Sequence, residues 1–509
     1  MNSSTRSLVL ITVDCLRADH CGFSGYRRPT TPFLDSLATE SKVLASAVIA
    51  GVPTYYSFPA IMASRMPLAL GRDVIGIAPG ERTLAACLQN AGYATAAFSA
   101  ANPYISPRFG YDQGFELFRD FLDCDAGKEE PAHPVPCGLS EGATRKTVFN
   151  RRIRNAASML GLSRAYDELY FQYCSRIAAA SRRSLDELRR FPDASVLVDQ
   201  AISWLATIGN RPFFLWLHLM DPHAPYYPPE QPFLELTGRE LSPERARYLN
   251  AFWNRGDLSA SGLARHRSDV GELYDAGIRW VDDQSARLVE HLKKKGAWET
   301  CMFALTADHG EEFLDHGGRF HPPVKLTEEI VRVPLLMRVP GEQKSSTPDS
   351  PFSHLHLAPT LLAALNVQPP SEFRGENLWE NLRAGKSWDE PVIVECVYGC
   401  KNPFRREERV ADRLLAVRDR RYKLVVRLSS PMREALFDLH ADPEEQHEIE
   451  PKAKKEERAR LLQAAREYLL RGSKERDPIL RLRARLHDVT SNFHEAPDEA
   501  QAVYGRAGS

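Results

Sequence analysis

The segment LVLITVD, residues 8–14, places an uninterrupted apolar run directly before an aspartate. A run without polar alternation predicts a strand buried on both faces, as in a sheet that helices cover on both sides. Four further runs have the same character: Ala94–Phe98, Phe213–Leu219, Met302–Leu305 and Val333–Val339. Helical patterns lie among them, at Phe33–Glu40, Thr83–Ala91, Ser195–Ile208 and Tyr274–Lys295. Because strands alternate with helices, the sequence predicts a doubly wound α/β core.

The composition is that of an ordinary globular protein. The chain has 509 residues, of which 43% are hydrophobic and 26% are charged. At roughly 100 to 200 residues per domain, this length allows between about two and five domains. Lys plus Arg number 66 against 67 Asp plus Glu, so the formal net charge is −1. This balance disfavours a globally basic nucleic-acid binder, and we expect no nucleic-acid partner.

The sequence favours a cytoplasmic location. The first apolar run is too short for a signal-peptide core, and no window is apolar enough to span a bilayer, so we expect no transmembrane segment. The nine cysteines show no CxxC spacing; they lie at positions 15, 21, 87, 124, 137, 174, 301, 396 and 400. An odd, unpatterned set of this kind predicts reduced thiols in the cytoplasm.

Three of the predicted strands end in residues that bind metals or transfer protons. Asp14 follows the first strand, the pair Asp308-His309 follows Met302–Leu305, and His223 follows Phe213–Leu219. Ligands of open α/β sheets bind beyond the carboxyl ends of the strands, so we expect these side chains to converge. Asp and His together suit Zn²⁺, Mn²⁺ or a similar ion, whereas oxygen ligands alone would suit Ca²⁺ or Mg²⁺.

Two residues at these strands also have an ordinary structural interpretation, whereas the adjacent pair Asp308-His309 has none as simple. An aspartate after a strand, such as Asp14, is often only a helix N-cap. A histidine within a strand, such as His218, more often serves as a structural hydrogen-bond donor.

Thr54 is a candidate nucleophile. It follows the Gly51–Pro53 turn and precedes a plausible helix, Tyr55–Ser64. Backbone N–H groups at a helix N-terminus favour an anion, and a metal at the same edge would activate the hydroxyl. The alternative is a simple threonine N-cap.

The sequence resembles the sulfatase family within the alkaline phosphatase superfamily over nearly the whole chain. The blocks that carry the resemblance are LITVDCLRADHCGFSGY (10–26), TTPFLDSLA (30–38), the turn around Thr54, GYATAAF (92–98), FFLWLHLMDPHAPY (213–226), LYDAGIRWVDDQSARL (273–288), LTADHGEEFLDHG (305–317), KLTEEIVRVPLL (325–336), RDRRYKLV (418–425) and LFDLHADPEEQHEI (436–449). It implies a large α/β domain with the metal site at the sheet edge, followed by a smaller α+β domain built on an antiparallel sheet.

The predicted domain boundaries follow from the resemblance and from local composition. The catalytic domain spans 1–380 and the smaller domain 381–470, with strands at Pro391–Val397 and Tyr422–Arg427. A charged helix begins near Lys452, and a helical or irregular tail covers 471–509.

An insertion interrupts the α/β pattern at about 120–192. From Ala143 to Arg190 it looks helical and holds eleven Lys or Arg against four Asp or Glu. It is either a solvated helical insertion or a basic rim that attracts an anionic substrate.

The resemblance assigns roles to individual positions. It implies that Asp14, Asp308 and His309 bind a divalent metal ion (Ca²⁺, Mn²⁺, Zn²⁺ or Mg²⁺) and that Thr54 is the nucleophile, which also contacts the metal. His223 matches a histidine that contacts the anionic group or assists the leaving group. The candidates for further substrate binding are Lys325, His321 and Asn102.

The chain departs from the family pattern at the nucleophile. A typical sulfatase has Cys-x-Pro-Ser-Arg, whose cysteine becomes formylglycine, whereas this chain has Thr54-Tyr-Tyr-Ser-Phe58. Threonine cannot become formylglycine, so none is expected. The usual Asp-Asp pair after the first strand is Asp14-Cys15.

These departures, together with the retained residues, predict a hydrolase or transferase of phosphate or sulfate esters that acts through threonine. The substrate is an anionic small molecule or glycan. The alternative is a catalytically inactive relative that binds an anionic glycan or partner.

Overall fold

The computed structural model describes residues 7–71, 74–122, 184–342, 348–400, 402–403, 405–409, 411–429 and 431–474, together with residues 169 and 482. The predicted insertion at 120–192 therefore lies mostly outside the described residues, although its last part contains a short 3-10 turn, Asp186–Leu188. Most of the predicted tail at 471–509 also lies outside them.

The described strands and helices alternate along the first two thirds of the chain. The strands are β1 Ser7–Val13, β2 Lys42–Val43, β3 Ala47–Val48, β4 Ala94–Ser99, β5 Leu117–Arg119, β6 Phe213–Leu219, β7 Cys301–Ala307, β8 Glu312–Phe313, β9 Arg319–Phe320, β10 Leu335–Arg338, β11 Phe352–Ser353, β12 Val392–Val397, β13 Arg413–Arg418, β14 Tyr422–Arg427 and β15 Arg433–Asp438. The α-helices are α1 Pro32–Ala38, α2 Thr54–Ala63, α3 Leu84–Asn90, α4 Ala194–Thr207, α5 Glu230–Thr237, α6 Pro243–Trp253, α7 Ala260–Leu263, α8 Arg267–Lys294, α9 Glu328–Val331, α10 Leu357–Ala364, α11 Trp379–Ala384, α12 Arg406–Arg409 and α13 Lys455–Lys474.

A seven-stranded sheet forms the centre of the molecule, in the order β2-β10-β7-β1-β6-β4-β5. Strands β7, β1, β6 and β4 run parallel, and every residue of β1, β6 and β7 is buried. The continuous apolar runs predicted this burial, and the α/β fold class is confirmed. Strand β10 differs, because it pairs antiparallel with both β7 and β2 and makes the sheet mixed.

The long helix α8 begins at Arg267 rather than at the predicted Tyr274. Val270 and Leu273 are fully buried and extend the apolar stripe toward the N-terminus. Asp269 lies in the first turn, where a negative charge interacts favourably with the helix dipole. The helix packs against α1, α4, α5 and α6.

A second, four-stranded antiparallel sheet follows in the C-terminal part, in the order β12-β13-β14-β15. Helix α13 packs on β13 and β14, and the fully buried Leu415, Leu424, Leu436 and Leu461 lie between them. The sequence predicted β12, β14 and the charged helix but neither β13 nor β15.

Among the described residues, none of the helices combines the length and apolar character needed to cross a membrane.

Candidate active site

Three ligand-type side chains converge where β1 and β7 end. Asp14 follows β1, and Asp308 and His309 follow β7. The parallel pairing of Val13 with Ala307 brings the two strand ends to the same level. His309 Nε2 lies 3.5 Å from Asp308 Oδ2 and 3.8 Å from Asp14 Oδ1. All three side chains are fully buried, so two carboxylates and one imidazole share an interior site.

Thr54 joins this cluster from the start of α2. Its Oγ1 lies 3.1 Å from His309 Nε2, and Ser57 Oγ donates to the carbonyl of Asp308 at 2.6 Å, which ties the first turn of the helix to β7. Pro53 is the N-cap residue, and the described residues show no side-chain capping bond at this helix start. The interpretation of Thr54 as a simple N-cap therefore does not match the structure.

Asp308 has an unsatisfied oxygen inside the cluster. Its Oδ1 accepts from the backbone N–H of His309 at 2.9 Å and of Cys15 at 3.3 Å. Its Oδ2 has no hydrogen-bond partner among the described residues. Burial, and then the charge of Asp14, raise the pKa of Asp308 to about 7.

A divalent cation would satisfy this arrangement. Leaving a buried carboxylate oxygen without a partner costs free energy, which a cation would offset. Two carboxylates, an imidazole and a hydroxyl are oxygen and nitrogen donors that divalent ions accept. Burial also lowers the pKa of His309, which favours the neutral imidazole that a cation needs.

Asp14 is held in its ionised form by its neighbours. Burial would raise its pKa, but the charges and hydrogen bonding of His223, His218 and His309 hold the pKa of Asp14 well below its usual value. Asn102 Nδ2 donates to Asp14 Oδ2 at 3.0 Å, and His218 Nε2 lies 3.5 Å from the same oxygen. Asn102 thus lies at the site, and its amide supports a candidate metal ligand.

His321 and His223 lie beside the cluster and are partly exposed. The ring of His321 lies 4.3 Å from the ring of His309 and 5.4 Å from that of His223, measured between centroids. The structure therefore brings both predicted histidines to the site, where a ligand arriving from solvent would meet them.

Lys325 is engaged elsewhere. Its Nζ lies 2.8 Å from Glu312 Oε1 and donates to the carbonyl of His316 at 2.8 Å. Its charge is therefore already paired with a buried carboxylate, which weakens its candidacy as an anion-binding residue.

Sequence reasoning gave no role to two residues of the cluster, Cys15 and Glu311. Cys15 Sγ lies 3.1 Å from Asp14 Oδ1 and 3.4 Å from His321 Nδ1. Burial, followed by the charges of Glu311 and Asp14, raises the pKa of the Cys15 thiol well above its usual value. Glu311 is fully buried, and neither of its carboxylate oxygens has a hydrogen-bond partner among the described residues. The only signal for Glu311 was its place directly after Asp308-His309-Gly310.

The turn after β7 packs tightly against α9. The N–H of Gly310 donates to the carbonyl of Ile330 at 2.8 Å. A Cβ at Gly310 would lie 2.0 Å from the carbonyl oxygen of Glu329, so only glycine fits here. This close approach fixes the backbone that carries Asp308 and His309.

A family model described as sulfatase matches residues 6–367. The chain belongs to the sulfatase family. A second model, described as the C-terminal part of N-sulphoglucosamine sulphohydrolase, matches residues 319–470.

The similar proteins are distant. PehA of Trinickia caryophylli, named a multifunctional alkaline phosphatase superfamily protein, is 24% identical over 50% of this chain and 55% of its own length. The chain spans about half the length of the first curated relatives it matches.

Two solved sulfatase-fold neighbours share the architecture at low identity. One, solved in complex with its substrate D-glucosamine-2-N,6-O-disulfate, is 17% identical with a TM-score of 0.65, over 93% of this chain and 99% of its own. The phosphonate monoester hydrolase of Agrobacterium radiobacter is 18% identical with a TM-score of 0.58, over 92% of this chain and 96% of its own. At these identities the likeness shows the fold.

Proposed function

We propose that this chain is a metal-dependent hydrolase of phosphate or sulfate esters and that unmodified Thr54 is its nucleophile. The observation that carries the proposal is the 3.1 Å distance between Thr54 Oγ1 and His309 Nε2. This hydroxyl lies beside Asp14, Asp308 and His309, whose ligand atoms are all within 4.8 Å of one another. Because threonine cannot become formylglycine, the hydroxyl itself must attack.

The substrate class follows from the site and from similar proteins. A cluster built to hold a divalent cation, beside partly exposed histidines, suits an anionic ester. PehA is described as multifunctional, and one structural neighbour is a phosphonate monoester hydrolase, which supports phosphorus esters. The neighbour that holds a disulfated glucosamine supports sulfated sugars, so both small molecules and glycans are candidate substrates.

A divalent cation held by Asp14, Asp308 and His309 would supply charge that lowers the pKa of the Thr54 hydroxyl and stabilises the non-bridging oxygens of the ester. Thr54 Oγ loses its proton to solvent and attacks phosphorus or sulfur, and the bond to the bridging oxygen breaks. His223, when protonated, donates its proton to that leaving oxygen. Water then cleaves the covalent threonine ester and restores the hydroxyl. We assign His321 to contact with the anionic group, because it is partly exposed beside His309.

Substitution of Thr54 tests the proposal. With nitrophenyl phosphate, bis(nitrophenyl) phosphate and nitrophenyl sulfate as substrates, Thr54→Ala should lower kcat by about 10³-fold or more, since loss of a nucleophile can cost about 10⁶ in kcat. Thr54→Ser should keep measurable turnover. Thr39→Ala is the matched control, because Thr39 is exposed and its hydroxyl donates to the carbonyl of Ser36, three residues earlier on the surface.

The outcomes distinguish an esterase with a threonine nucleophile from a catalytically inactive relative. A covalent ester trapped at Thr54 would identify the transferred group by its mass. Full activity of Thr54→Ala would overturn the mechanism. Tight cation binding without turnover of any of these esters would favour the catalytically inactive, anion-binding alternative.

A further inference from the structure

A sulfur atom lies beside the candidate cation ligands Asp14, Asp308 and His309. Cys15 Sγ lies 3.1 Å from Asp14 Oδ1, and a ligand atom of Cys15 lies within 4.8 Å of ligand atoms of both His309 and His321. In the same way, Asp14, Cys15 and His223 form a group within 4.8 Å. A thiol is therefore close to carboxylate and imidazole donors on two sides.

The backbone holds this thiol in place. Cys15 has a φ of 62°, which side-chain-bearing residues seldom adopt. Its N–H donates to Asp308 Oδ1 at 3.3 Å, and its carbonyl accepts from Tyr274 Oη at 2.7 Å. Asp308 also belongs to the ligand cluster and Tyr274 is fully buried, so the sulfur is fixed relative to the carboxylates.

Glu311 gives an independent sign that positive charge is missing here. Its side chain is fully buried, both carboxylate oxygens lack hydrogen-bond partners among the described residues, and Oε1 lies 3.6 Å from His321 Nδ1. Among the described contacts, Arg17 donates to the backbone carbonyl of Glu311 and not to its carboxylate, and its guanidinium pairs with Asp19 and Asp315. An uncompensated buried carboxylate is strongly unfavourable, so a bound cation is the expected counter-charge.

We infer that Cys15 belongs to the cation site and makes it selective for a thiophilic divalent cation, such as Zn²⁺, over Ca²⁺. The inference rests on the cation that the proposed function requires, and it specifies its class. Thiolate and imidazole donors favour Zn²⁺ and Co²⁺, whereas Ca²⁺ takes oxygen ligands. The thiol proton is released to solvent when the sulfur binds the cation.

Cobalt is the direct probe, because Co²⁺ bound to a thiolate absorbs in the near ultraviolet. The metal-free full chain titrated with Co²⁺ should develop this charge-transfer band, and Zn²⁺ should displace Co²⁺ where excess Ca²⁺ does not. Cys15→Ser should remove the band and weaken Zn²⁺ binding by about 100-fold or more, since even loss of a residue that only supports a metal ligand costs about 10- to 100-fold. Cys15→Asp should reduce the preference for Zn²⁺ over Ca²⁺.

Cys21→Ser is the matched control, because Cys21 is equally buried and its sulfur contacts only the carbonyl of Arg17 among the hydrogen bonds described for it. It should keep both the band and the Zn²⁺ affinity. Absence of a thiolate band in cobalt-loaded wild type, or unchanged Zn²⁺ affinity in Cys15→Ser, would overturn the inference. Neither the cobalt band nor the Zn²⁺ affinity depends on ester turnover. If Ca²⁺ supports ester cleavage and the cobalt-loaded chain shows no thiolate band, this inference alone is refuted. If the band appears but the chain cleaves none of the esters, only the proposed function is refuted.

Discussion

At the scale of single residues, Tyr274 holds the backbone that follows Asp14. Its hydroxyl accepts from the N–H of Arg17 at 2.9 Å and donates to the carbonyl of Cys15 at 2.7 Å. The side chain is fully buried on α8. Tyr274→Phe leaves two buried backbone groups without a partner, so we expect the free energy of unfolding to fall by about 1–3 kcal/mol. Zn²⁺ affinity should fall as well, because the backbone around Cys15 loses this support.

Urea unfolding and Zn²⁺ titration of the variant measure both effects. Tyr111→Phe is a suitable control, since Tyr111 is also fully buried but its hydroxyl has no hydrogen-bond partner among the described residues. Loss of the Tyr111 hydroxyl should leave the free energy of unfolding unchanged or raise it slightly. Equal effects of the two substitutions would show that the hydroxyl of Tyr274 does not support the site.

The sequence allowed some of these residues to be predicted and concealed others. Asp14, Asp308 and His309 were predictable, because each directly follows an apolar run and parallel strands end at one edge. Tyr274 was counted only as a member of the apolar stripe of its helix, because a periodic pattern does not show that a hydroxyl reaches backbone atoms of a distant turn. Cys15 was noted only as the loss of a carboxylate.

At the scale of elements, the five strands that the sequence predicted to be buried on both faces, β1, β4, β6, β7 and β10, lie within two residues of their observed ends. The short buried strands β3, β8 and β11 were not predicted. Continuous apolar runs mark burial, but they carry no information about direction, so the antiparallel β10 was not foreseen. Strand β15 has Arg433 and Asp438 at its ends and is mostly partly exposed, which hides its pattern. Strand β13 is buried except at Arg413, but its apolar run spans only Leu414–Val417 between two arginines. Both strands pair with β14, and β13 also packs against helix α13.

The turn between β8 and β9 is tied to α9 by a pH-dependent contact. His316 Nδ1 lies 2.8 Å from Glu329 Oε1, and its Nε2 faces the carbonyl of Glu445 at 3.4 Å. The hydrogen bond with Glu329 raises the pKa of His316 to about 9, from an ordinary value near 6.5. The stabilisation is therefore fully present below about pH 6.5 and is lost as the pH rises through about 9.

Melting temperatures of wild type and Glu329→Gln across this range test the contact. The difference between the two should be largest near pH 6 and should nearly vanish above pH 9.5. Gln keeps an acceptor for the hydroxyl of Thr327, which bonds to Glu329 at 2.6 Å. A difference that stays constant with pH would mean that His316 carries no charge in the folded protein.

At the scale of the whole molecule, the smaller sheet is joined to the segment that leads into Thr54. The N–H of Glu395 on β12 donates to the carbonyl of Ala50 at 2.9 Å, and Glu395 Oε1 accepts from the N–H of Leu68 at the same distance. Ala50 lies four residues before Thr54. The domain boundary at residue 380 stays a prediction from the sequence, and these contacts lead us to expect that the two sheets unfold together.

Lys423 provides the test of this cooperativity. It lies fully buried on β14, with Nζ 3.1 Å from Glu328 on α9 and 3.0 Å from Glu445. Lys423→Met leaves these buried carboxylates without their lysine, so we expect a loss of about 3–5 kcal/mol in the free energy of unfolding. Because the ion group joins both parts of the chain, the whole protein should unfold in one transition at lower urea, with fluorescence and circular dichroism coinciding. Lys294→Met, which removes an exposed pair with Glu290, should leave the unfolding midpoint nearly unchanged, because exposed ion pairs contribute little to stability. Two separate transitions in Lys423→Met would instead show that the smaller sheet folds independently of the active site.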